Sequence, residues 1–165
     1  MALLVACFAS CAFSQTEPPA TAASGLTLRL VPLKATVKEG EAIGMTVVFM
    51  GGAHETTLIL PAGADASGLI TYRAVETASG REWTATHRAP RSFAADTRRS
   101  IPAGGRLEQQ HHALDFKGPG IVMGNLPAGR YRLVVTYDEG NTFRPENRTS
   151  RVLRSKPVEI VVKAR

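Results

Sequence analysis

From Leu26 to the C-terminus the chain alternates apolar and polar residues in short runs closed by glycine or proline turns. In "LTLRLVPL" Leu26, Leu28 and Leu30 fall on one side, and Pro32 confines the run to a sheet edge or a break. After a turn at Gly40, "IGMTVVFM" sends Ile43, Met45, Val47 and Phe49 to one face. "ETTLILP" and "LITYRAVE" continue the pattern, and "TASGRE" forms a hairpin-type turn into the Trp83 region. "RLEQQHHALDF" reads as one strand, followed by "GNLPAGRYRLVVTY" and a closing "RSKPVEIVV". No segment shows capped i, i+3, i+4 apolar spacing, so no helical domain is expected. About seven to nine strands at this spacing predict an all-β antiparallel sandwich.

The first 25 residues follow a different pattern. "MALLVACFASCAFS" is apolar and rich in small residues, and the chain then turns abruptly polar with Pro18 and Pro19. This predicts a signal peptide over residues 1–14, with small residues before the cleavage point, and a flexible tether over 15–25. Residues 26–165 form the folded domain. "LVAC" also resembles a bacterial lipobox, which makes lipidation at Cys7 the alternative to simple cleavage. Either route implies an extracytoplasmic location, periplasmic or secreted. The apolar run is too short to span a bilayer, so no transmembrane segment is expected in the mature form. Both cysteines, Cys7 and Cys11, precede the domain, which predicts a sandwich with no disulfide.

The stretch "LPAGRYRLVVTY" introduces a strand with a turn, a glycine and then Tyr131. In immunoglobulin-type sandwiches such a tyrosine closes a corner onto the preceding turn, two residues before a core position that antibodies fill with cysteine. Here Leu133 occupies that position, which suits a sandwich held by packing alone. The chain resembles immunoglobulin-like modules of secreted bacterial proteins in "AGRYRLVVTY" and "SKPVEIVV". Its middle is similar to the intracellular proteinase inhibitor (BsuPI-type) domain. The residues that carry this likeness are the turn from Gly80 to Trp83 and the "IPAG" turn from Ile101 to Gly104. That second resemblance implies a proteinase inhibitor, with "THRAPRSFAADTRRS" presented substrate-like to a trypsin-type site.

Candidate chemistry is sparse. His111 and His112, adjacent on an expected strand, point to opposite faces and cannot chelate one ion together. His54 and His87 lie apart, and no metal-ligand spacing is present, so no metal and no cofactor are expected. No activated-serine turn or phosphate-cradling glycine loop occurs, and Asp138 and Glu139 read as adjacent turn residues. An enzyme is therefore not expected.

Charge adds the remaining signal. The chain carries 20 Lys and Arg against 14 Asp and Glu, a net +6. The arginines gather in two expected loops. One runs from Arg81 to Arg106 and includes Arg88, Arg91, Arg98 and Arg99; the other includes Arg144 and Arg148. Arginine suits bidentate contact with carboxylate, sulfate or phosphate, and long loops on a rigid sandwich commonly carry binding surfaces. The expectation is a non-enzymatic interaction module that meets a protein or an anionic envelope component, with no nucleic-acid partner. A proteinase inhibitor and an accessory domain with no ligand of its own are the alternatives.

Overall fold

A computed structural model of the chain describes residues 25–60, 69–87, 97–141 and 151–165. The expected signal peptide, most of the tether, Cys7, Arg88, Arg91, Arg144 and Arg148 lie outside these residues. The described chain is all-β, and its only helical element is a single 3-10 turn at Glu139–Asn141. Its strands, in chain order, begin with β1 Thr27–Pro32, β2 Thr36–Lys38, β3 Met45–Met50, β4 Thr56–Leu60, β5 Ile70–Glu76 and β6 Glu82–His87. They continue with β7 Thr97–Ile101, β8 Arg106–His111, β9 Leu114–Gly118, β10 Ile121–Gly124, β11 Gly129–Asp138, β12 Val152–Arg154 and β13 Val158–Lys163.

The larger sheet runs in the order β10-β9-β6-β5-β11-β13-β2, with β12 also paired to β11. Facing it are the β1-β3-β8 sheet and the β4-β7 pair. These last two continue one ribbon. Met50 pairs with Arg106, the Gly51 amide donates to the Gly105 carbonyl at 2.8 Å, and pairing resumes with Thr56 against Ile101. Between the two ladders the Gly51 side carries one extra residue, a bulge that kinks the ribbon. A Cβ at Gly51 would lie 2.6 Å from the Pro102 carbonyl oxygen, so this break accepts only glycine without local movement.

Alternation along β11 explains the core. Tyr131, Leu133, Val135 and Tyr137 are buried, while the residues between them are more exposed. They meet Phe49, Met45 and Val47 from β3, which are also buried. Phe49 and Tyr137 touch edge-on across the sheets with ring centroids 5.1 Å apart. Tyr72 of β5 reaches His111 of β8, hydroxyl to Nδ1, at 2.6 Å. Sandwich packing therefore rests on interleaved apolar side chains plus buried polar bridges between the layers.

Several elements differ from the alternation pattern. Among the described residues thirteen strand segments stand where fewer were expected, because short pieces such as β2, β10 and β12 add to the larger sheet. "RLEQQHHALDF" is two strands in different sheets, broken at His112 and Ala113. His111 consequently ends β8 buried, and His112 is exposed in the connection beyond it. The expected Arg-rich loop from Arg81 to Arg106 contains both β6 and β7. Arg98 and Arg99 are strand residues, not loop residues. Charged runs can form strands where neighbouring strands supply the ladder, which local pattern does not reveal.

Candidate functional site

The outer edge of β4 is where the two sheets are tied by polar groups. The Tyr137 hydroxyl lies 2.7 Å from the Ile59 carbonyl oxygen and 2.7 Å from Glu139 Oε1. The Ile59 amide donates to that same hydroxyl at 3.2 Å. A backbone strand edge buried without such partners would be costly, and the tyrosine satisfies it in place of another strand. Burial, reinforced by the bond to Glu139, pushes the Tyr137 hydroxyl far above its ordinary pKa.

Glu139 is 1% exposed, and a buried carboxylate needs a countercharge. Arg151 supplies it, with Nη1 at 3.3 Å from Oε1 and also donating to the Thr57 carbonyl at 2.9 Å. The arrangement clamps β4 to the end of β11. Its chemistry is that of a structural network, in which Tyr137, Glu139 and Arg151 bond to one another or to the β4 backbone. The sequence reads Glu139 as a turn residue, which it is, but no periodic signal marks its burial.

This clamp gathers the flanks of both arginine-rich stretches. Thr97, where β7 begins, pairs with Leu60 at the end of β4. Asn141 closes the turn that carries Glu139, and Arg151 bonds β4 itself. Tyr137 pairs with both Ile70 and Leu153, and the Asp138 amide donates to the Leu69 carbonyl at 2.8 Å. Ends of β4, β5, β7, β11 and β12 thus converge at one end of the sandwich.

Of the expected binding residues, Arg98 and Arg99 are described, and both are exposed. Arg98 lies opposite Ile59 and Arg99 opposite Leu58, so the two project to opposite faces of the ribbon. They do not form a single fork. Tyr131 is buried, with its hydroxyl donating to the Pro127 carbonyl at 2.8 Å, and Leu133 is buried between Ala74 and Val158. Among the described residues no group of three or more His, Cys, Asp or Glu is placed to hold a metal ion. No helix among the described residues is long and apolar enough to cross a membrane.

No protein-family profile matches the chain. No curated protein matches it in sequence. Among solved structures, Spo0M, a sporulation control protein from Bacillus subtilis, is similar at 15% identity and a TM-score of 0.40, covering 86% of this chain. The chain spans 50% of that protein's length.

Proposed function

We propose that this chain is an exported, non-enzymatic binding module of the bacterial cell envelope. Its immunoglobulin-like sandwich presents an arginine-rich end to an anionic partner. The observation that carries the proposal is the convergence of flanks. Thr97, Arg151 and Glu139, which opens the turn ending at Asn141, flank the stretches holding Arg88, Arg91, Arg144 and Arg148, and all three contact β4. Two basic stretches anchored at one end of a rigid scaffold can act on one ligand, and arginine favours carboxylate, sulfate or phosphate. The bond from Tyr131 to the Pro127 carbonyl supports the immunoglobulin-like reading.

Replacement of Arg88, Arg91, Arg98 and Arg99 by glutamine keeps most of each side chain and removes its charge. We expect full-length protein to be retained on a heparin matrix and released by moderate salt, and the variant to pass through. The melting temperature should move by less than about 2 °C, as for surface changes. Equal retention of both proteins overturns the proposal.

A second reading, proteinase inhibition, has one observation in its favour. The stretch from His87 to Thr97 joins strands of opposing sheets and is fixed in a ladder at each end, by Leu114 and by Leu60. Inhibition of a trypsin-like protease by the native chain, lost in the same variant, would select this reading.

A further inference from the structure

β1 is an edge strand among the described residues. It pairs with β3 along its whole length, from Thr27 against Met50 to Pro32 against Met45, and no strand among the described residues pairs with its other edge. A groove of 570 Å³ follows that edge, lined by the whole of β1 with Met50, Lys156 and Val158. Its volume lies within the range of ligand sites. An unpaired strand edge offers backbone donors and acceptors at a fixed spacing, and an added strand satisfies them.

The chemistry of the lining selects the occupant. Val31, Pro32, Met50 and Val158 make the groove apolar, while Arg29 and Lys156 supply positive charge and no carboxylate lines it. Met50, 38% exposed, is open to contact at the end of the groove. Side chains of an added strand alternate between faces, so apolar and acidic residues in turn would match such a surface. A second copy of this chain fits poorly. Antiparallel pairing of "TLRLVP" with itself would bring Arg29 close to its own mate, and like charges across a ladder are destabilising. The tether preceding β1 fits poorly as well, because Pro18 and Pro19 have no amide to donate to a ladder.

We infer that the outer edge of β1 is a second binding site, which takes an extended acidic and apolar segment of a partner protein as an added strand. The site uses different residues from the arginine-rich end and does not rest on that proposal.

The test uses the full chain and acetylated octapeptides that alternate valine with glutamate, valine with lysine, or valine with glutamate around a central proline. Fluorescence anisotropy reads affinity, and amide hydrogen exchange reads location. The glutamate peptide should bind and protect amides within Thr27–Pro32. The lysine peptide should bind at least roughly tenfold more weakly, and the proline-interrupted peptide should not bind. In a variant carrying Arg29→Glu and Lys156→Glu the preference should reverse towards the lysine peptide, an outcome that a merely unfolded variant cannot give. Three results overturn the inference: no binding of the glutamate peptide, equal affinity for both charges, or protection at β10 or β7 instead of β1. Self-association of the native chain through β1, seen by sedimentation with protection of the same amides, overturns it too.

Discussion

Tyr131 shows how much one hydroxyl can organise. Its ring meets Trp83 edge-on at 5.5 Å while its hydroxyl reaches back to the Pro127 carbonyl at 2.8 Å. Tyr131→Phe keeps the ring and strands the carbonyl, so we expect a loss of about 1 kcal/mol in urea unfolding near neutral pH. The same residue predicts an alkaline effect. Burial, with Glu76 nearby, pushes its pKa from 10.0 up to about 12. Between those values the unfolded chain has released the proton and the folded chain still holds it. Folding then binds the proton, and rising pH withdraws stability. The Tyr131 share of stability is whole below pH 10.0 and lost by about 12. Unfolding measured across that window should show a shallower pH slope in Tyr131→Phe, and an unchanged slope would remove Tyr131 as its source. What the sequence made legible here was the position, through a turn, a glycine and a tyrosine in that order.

At the scale of elements, β4 depends on side chains from elsewhere for one of its edges. β7 pairs with one side, and Tyr137, Glu139 and Arg151 cover the other. Removal of one member of a buried ion pair leaves the other desolvated. Glu139→Ala should therefore cost about 3 kcal/mol by chemical denaturation, although Arg151 keeps some solvent contact. Tyr137→Phe touches the same oxygen, so the double variant should lose less than the sum of the single losses. Strict additivity would show that the clamp is not a network. None of this was readable along the chain, because Ile59 and Tyr137 are far apart in sequence and an acidic residue after a strand usually means a wet turn. The misreading of "RLEQQHHALDF" as one strand has a similar cause. Its polarity alternates through the point where the chain leaves one sheet for the other, and alternation alone does not say which sheet a strand joins.

At the scale of the whole molecule, apolar packing between sheets does the work that a disulfide does in many sandwiches. Phe49 meets Tyr137 across the layers, Leu133 is fully buried, and both cysteines precede residue 25. Thermal unfolding should accordingly have the same midpoint with and without reductant. A drop in reductant would reveal a covalent contribution from Cys7 and Cys11 that the fold does not require. The two proposed surfaces draw on different residues. One is the end where Thr97, Glu139 and Arg151 border β4, and the other is the flank along β1.

The sequence alone determined the all-β class, one buried row of β3 (Met45, Val47 and Phe49), the buried Tyr131 and Leu133 of β11, and a core without cysteine, whereas the burial of Thr46 and Val48 on the other side of β3 came only from the fold. The former features depend on a two-residue period or on composition, and both are local properties. It also marked arginine-rich stretches, yet not that Arg98 and Arg99 belong to a strand and face opposite ways. Only the tertiary structure decided how the β3-β4 and β7-β8 segments join in one kinked ribbon, which residues cap the edge of β4, and that β1 keeps an open groove. These features depend on which strands meet. Strand pairing is fixed by contacts between distant residues, whose free energy no single segment of the chain contains.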